Sequence, residues 1–129
     1  MRFMKLRLSP EEFDLIVRNA ISSIPWEIRK YLDNIVILVK ERPTSQLIEE
    51  LNLPPGEEPL GFFWGPSLMG HSFFSTLEYP NTIFIFQRPL EAMCRNREDL
   101  EREIRITVIH EIGHYLGMSE EEIEKLGYG

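Results

Sequence analysis

The sequence predicts an α+β fold in which a small three- or four-stranded sheet packs against helices on one face, and three observations carry that prediction. Apolar residues recur at helical spacing near both ends of the chain, from Phe13 to Ile24 and from Ile104 to Leu116. Between them lie short β-branched or aromatic runs of strand length, Ile35 to Val39, Leu60 to Trp64 and Thr82 to Gln87. Gly, Pro and Ser breakers separate these runs, so helices and strands are grouped rather than alternating regularly.

Ser9-Pro10-Glu11-Glu12 opens the first helix. Ser9 is an N-cap, Pro10 takes the first helical position, where its missing N–H is no loss, and Glu12 is the acid at the third. Phe13, Ile16, Val17, Ala20, Ile21 and Ile24 then form one apolar face. A second short helix is expected to follow Pro25 and run to Leu32. The unbroken run Ile35 to Val39 reads as a buried strand. Pro43 to Pro59 is a connection full of breakers, with a helical turn or two around Gln46 to Leu51. The remaining two strand candidates flank a loop that holds His71.

The longest helix comes late. Asn96 is its N-cap with Asp99 as capping-box partner, and Gly117 supplies the left-handed position that stops it, so it should run from Arg97 to Leu116. Its second half is apolar over most of its circumference, which argues burial, and leaves Thr107, His110, Glu111 and His114 as a narrow polar strip. Ser119 reads as the cap of a last short helix with Glu122 completing the box.

The strip carries chemistry. At about 100° per residue His114 lies about 40° round the helix from His110, so both imidazoles leave one face and can bind one cation. Glu111 sits about 60° from His114, within reach of a water on that cation without being a ligand. Burying two imidazoles and a carboxylate without partners would cost several kcal/mol, and a metal satisfies them. This His-Glu-x-x-His pattern is the ligand pair and general base of a zinc hydrolase. A third ligand must follow Gly117, where the acids are Glu120, Glu121, Glu122 and Glu124. Glu122 already caps a helix, and Glu121 and Glu124 most simply face solvent. Glu120 stands three residues after the glycine, at the third-ligand position of the extended zincin spacing.

Composition bounds the alternatives. The chain has 129 residues, 43% of them hydrophobic, enough for one domain with a core that needs neither disulfides nor oligomerisation, and a monomer is expected. The single cysteine, Cys94, excludes an internal disulfide and a sulfur-rich metal cluster. A net charge of −7 with dispersed Lys and Arg argues against a nucleic-acid partner. No segment resembles a signal peptide or membrane span, so a cytoplasmic protein with no membrane partner is expected.

The chain resembles the small bacterial zincin-like metallopeptidase family. The shared features are the metal motif, the Gly61-Phe62-Phe63-Trp64-Gly65 segment, an Ile-Phe-Ile-Phe strand and the Asn96-Arg97-Glu98 helix start, with the similarity reaching from Leu8 onward. The resemblance implies a minimal zincin fold with its motif on a long C-terminal helix. It also implies Zn²⁺ held by His110, His114 and Glu120, Glu111 as catalytic carboxylate, and a peptide or protein substrate. Better-known extended zincins place His where this chain has Glu120, and carry a methionine turn further on; no methionine follows Met118 here.

The expected activity is metal-assisted peptide hydrolysis, with a non-catalytic, metal-retaining peptide-binding module as the alternative. Leu60 to Trp64 or Thr82 to Gln87 could receive an extended peptide as an edge strand. Tyr115, Tyr128, His71 and Arg88 are the groups available to steady an oxyanion. Phe62, Phe63, Trp64, Phe73 and Phe74 divide between core packing and a substrate pocket.

Overall fold

The computed structural model describes residues 6–65 and 80–127; His71, Phe73, Phe74 and Tyr128 lie outside the described residues. The first helix, α1 (Pro10–Ser22), is closed by the expected reciprocal box: the Ser9 hydroxyl accepts the Glu12 N–H, and the Glu12 carboxylate accepts the Ser9 N–H. It buries Phe13, Ile16, Val17 and Ala20. The second predicted helix forms only as α2 (Trp26–Arg29), which tightens into a 3-10 turn over Lys30–Asn34. Neither has a side-chain cap, and Asp33 and Asn34 are weak helix formers next to a strand.

Strand β1 (Ile35–Lys40) follows, then α3 (Ser45–Leu51), capped by Thr44 and ended by a left-handed Asn52 at φ 51°. Strands β2 (Gly61–Trp64) and β3 (Asn81–Phe86) complete a mixed sheet in the order β1-β3-β2. β1 runs parallel to β3, with Ile35 opposite Asn81 and Lys40 opposite Phe86; β2 runs antiparallel, with Gly61 opposite Ile85 and Trp64 opposite Thr82. The segment Thr82 to Gln87 is therefore not available as an edge. Its strand is central, paired on both sides, and β2 is the edge nearest the long helix.

Gln87 does not extend β3 but begins α4 (Gln87–Ala92), a helix the sequence does not announce because Pro89 reads as a breaker. Proline is tolerated there because the first helical turn has N–H groups with no partner to lose. α4 holds a buried carboxylate: Glu91 accepts the Leu8 N–H at 2.8 Å and the Gln87 amide at 3.1 Å, and pairs with Arg88 at 2.7 Å. The Gln87 amide also donates to the Leu8 carbonyl, so the segment leading into α1 is tied to α4.

The last two helices are α5 (Arg97–Tyr115), capped by Asn96, and α6 (Glu120–Lys125), capped by Ser119 with Glu122 in reciprocal contact. α1 and α5 cover one face of the sheet. Ile83 and Ile85 of β3, both fully buried, pack there with Phe13, Leu100, Ile104 and Val108. On the other face Val36, Leu38 and Trp64 remain exposed. Thr82 and Phe86, which share that face by register, are nevertheless buried. Among the described residues no helix is long and apolar enough to cross a membrane.

Candidate metal centre

α5 passes beneath β2 and turns Thr107, His110, Glu111 and His114 towards a cavity of about 700 Å³. The His110 and His114 rings leave the same face, one turn apart, with centroids separated by 4.8 Å and planes at 72°. One donor atom from each of His110, Glu111 and His114 falls within 4.8 Å of the others.

What brings Glu120 to them is the turn after α5. Gly117, at φ 80°, sits in the left-handed region. Its N–H bonds the His114 carbonyl, while the Met118 N–H bonds the Gly113 carbonyl. This paired closure is a Schellman motif, which reverses the chain immediately. α6 then folds back on α5, and Ile123, 2% exposed, lies over Gly113 so closely that a Cβ there would stand 2.8 Å from it. Glu120, first residue of α6, thereby faces the two rings: its Oε1 is 2.8 Å from His114 Nε2, and its Oε2 is 3.2 Å from His110 Nε2.

These separations fit a divalent ion. Bonds of about 2.0–2.1 Å in a tetrahedron hold ligand atoms about 3.3 Å apart. The two Glu120–imidazole distances are close to that spacing, and His110, His114 and Glu120 are the residues that could hold such an ion. Glu120 is exposed, and among the described residues, Glu111 apart, no fourth side chain joins the three.

Glu111 stands beside them but is held differently. It is 7% exposed, its Oε1 accepts the Phe63 N–H at 2.8 Å, and its Oε2 lies 4.0 Å from His110 Nε2. Burial pushes its carboxyl above the ordinary carboxylate range, opposed by the charges of His114 and His110 and by the Phe63 N–H. The Phe63 N–H is free to do this because of register. The Phe86 N–H bonds the Leu60 carbonyl, so alternate β2 residues face β3 while Gly61 and Phe63 turn their backbone groups to the open edge. Gly61 lets that edge approach α5: a Cβ would lie 2.6 Å from Thr107 Cγ2 and 2.9 Å from the Phe84 carbonyl oxygen.

A family model described as zincin-like metallopeptidase matches residues 32–129. The chain belongs to the zincin-like metallopeptidase family. A solved structure, a conserved hypothetical protein from Thermus thermophilus, is similar over 84% of this chain and 94% of that one, with a TM-score of 0.57 and 21% identity. That likeness shows the fold. No curated protein matches the chain. The family match starts at residue 32, so α1 and α2 lie outside it, although α1 packs directly on the zincin-like helix α5. Family membership implies a metal ion, typically zinc, and His110, Glu111 and His114 of α5 form a group that could hold one, with the Glu120 carboxylate of α6 against both rings.

Not every residue singled out from the sequence belongs to this zincin-like centre. Tyr115 is buried with its ring against Phe63, centroids 5.5 Å apart, and is a core side chain. Arg88 is engaged by Glu91 and Glu41. Neither lines the cavity. Two contributors were invisible in the sequence: the Phe63 N–H, a backbone group, and Gly113, whose importance lies in what packs on it. A third, Glu103, lines the cavity and stands four residues before Thr107; continuing the polar strip by one helical turn would have found it.

Proposed function

We propose that this zincin-like protein is a zinc-dependent metallohydrolase that cleaves peptide bonds, with His110, His114 and Glu120 as metal ligands and Glu111 as general base and acid. The observation that carries the proposal is the convergence of both Nε2 atoms on the Glu120 carboxylate beside a buried second carboxylate that is held by the edge strand. A structural site would need a fourth ligand rather than an adjacent base.

Zinc, when bound, supplies Lewis acidity, lowering the pKa of water towards about 7 and polarising the scissile carbonyl. Everything else falls to the chain. Glu111, anchored through Oε1 by Phe63, presents Oε2 to the attacking water, accepts its proton, and returns that proton to the leaving amine. A carboxyl raised by burial suits both directions of transfer. The outward carbonyls of Gly61 and Phe63 on β2 can pair with an extended peptide, which makes substrate recognition sequence-tolerant along the backbone.

The test is a Glu111→Gln variant, which keeps an oxygen for the Phe63 N–H but cannot take a proton. It should retain one zinc per chain and lose at least 10²-fold in peptide hydrolysis. Equal cleavage of a peptide library by variant and parent would refute the role of Glu111. Cleavage by neither would replace hydrolysis with peptide binding. A His110→Ala, His114→Ala double variant that still bound one zinc would refute the ligand assignment.

A further inference from the structure

The cavity that opens on His110 and His114 has a chemically one-sided wall. Its apolar surface comes from residues such as Leu51, Leu60, Phe62 and Ile106, and among the described residues every acidic or basic side chain that lines it, His110 and His114 apart, is a glutamate. Glu58 is already paired with Arg42, and Glu111 and Glu120 belong to the centre. Glu103 is different. It is partly buried, lines the same cavity, and among the described residues its carboxylate makes no ion pair or hydrogen bond. A partly buried residue's carboxylate beside apolar side chains, with no ion pair among the described residues, is a complement for a cation brought by a ligand.

Geometry fixes where that cation sits. Glu103 precedes His110 on one stripe of α5 by about 10 Å of helix rise. Gly61 approaches Thr107 and Glu111, while Phe63 approaches Glu111 and Tyr115, so β2 runs along α5 in the same direction and residues 57–60 enter from the Glu103 end. A peptide laid along β2 advances about 3.3 Å per residue. With the reach of a Lys or Arg side chain added, the group that meets Glu103 belongs to a residue within about three of the scissile bond.

Resting on the hydrolase proposal above, we propose that Glu103 is a specificity-determining residue and that the substrates are peptides carrying a Lys or Arg within three residues of the cut, amid apolar side chains. Glu57, at the cavity mouth, adds to the same field, and the overall charge of −7 favours encounter with cationic peptides.

The experiment digests a peptide library with zinc-loaded parent, Glu103→Gln and Glu103→Arg proteins. In parallel, dye-labelled peptides that differ only by Arg, Gln or Glu at one position are titrated by anisotropy onto the zinc-loaded Glu111→Gln variant, with and without each Glu103 change. The expected result is at least a tenfold preference in kcat/KM for Arg over Glu peptides in the parent, cut at least threefold by Glu103→Gln and reversed by Glu103→Arg. Zinc content and cleavage of the Gln peptide should stay unchanged. Equal cleavage of Arg and Glu peptides by the parent, or an equal loss on all peptides in Glu103→Gln, overturns the proposal while leaving the hydrolase reading intact. If the parent cleaves nothing, the hydrolase reading fails and the titrations decide: a Glu103-dependent preference for the Arg peptide still supports the site, and equal or no binding overturns it.

Discussion

Gly113→Ala probes the least obvious support of the candidate centre, the contact that sets where Glu120 stands. An alanine Cβ would lie 2.8 Å from both Cγ1 and Cδ1 of Ile123, against the 3.5–4.0 Å at which carbon atoms rest. Ile123 is fully buried, so α6 must move off α5 by about 0.7 Å or more, or Ile123 must leave its rotamer. Metal bonds tolerate about 0.2 Å. The exposed Glu120 side chain can absorb part of the displacement, which limits the expected loss in zinc affinity to about 10- to 100-fold, or about 1.4–2.8 kcal/mol. Stability behaves differently. Alanine gains about 1 kcal/mol over glycine inside a helix, and overpacking costs about 1–3 kcal/mol, so the metal-free protein should lose no more than about 2 kcal/mol. Zinc affinity is measured by competition with a chromophoric chelator, and stability by urea unfolding in excess chelator. Adding Ile123→Val, which removes one of the two obstructing atoms, should recover much of the affinity. A Gly113→Ala protein that binds zinc within twofold of the parent would refute the argument that α6 packing positions the third ligand.

Two further perturbations separate the base from the ligands and the caps from the core. Gly61→Ala forces β2 away from Thr107 and should break the 2.8 Å Phe63–Glu111 bond; hydrolysis should fall 10- to 100-fold with zinc stoichiometry unchanged, and unchanged turnover in a folded variant would show that the strand does not hold the base. Glu12, Asp99 and Glu122 all have carboxyls held below the ordinary range by hydrogen bonds at helix starts, first among them the backbone N–H groups of Ser9, Arg95 and Ser119. A depressed folded pKa adds stability above the unfolded value, here about 4.5 for Glu12, and that contribution disappears as pH falls through the folded one. Urea unfolding in chelator should therefore show the parent and Glu12→Gln converging in stability as pH drops from 7 to 3, and a constant difference would contradict the box.

Much of the framework was legible because the relevant signals are local. Ser9 with Glu12, Asn96 and Ser119 with Glu122 announce helix starts through short-range hydrogen bonds, and Gly117 announces a stop through its left-handed backbone. The motif residues were legible because helical periodicity alone places His110 and His114 on one face. α4 was not, since a proline in the first turn of a helix and a proline that breaks one look alike without knowing which N–H groups lack partners. Nor could strand order be read: the central place of Thr82 and its neighbours comes from long-range pairing on both sides.

The candidate site shows the same division more sharply. Residue types and spacing on one helix point to a cation with a base beside it, yet the features that give those groups a geometry are non-local and carried by backbone groups and close packing at glycines. Gly61 admits the edge strand to α5, Phe63 contributes only its N–H, and Gly113 admits Ile123 so that α6 returns Glu120 to the rings. A motif search weights Gly61 and Gly113 as spacers, whereas the packing makes each the point at which one added methyl group would separate two elements of the centre. Glu103 belongs to the same class of hidden information: on the sequence it is one of many acids, and only the cavity distinguishes a carboxylate that faces solvent from one that faces a ligand.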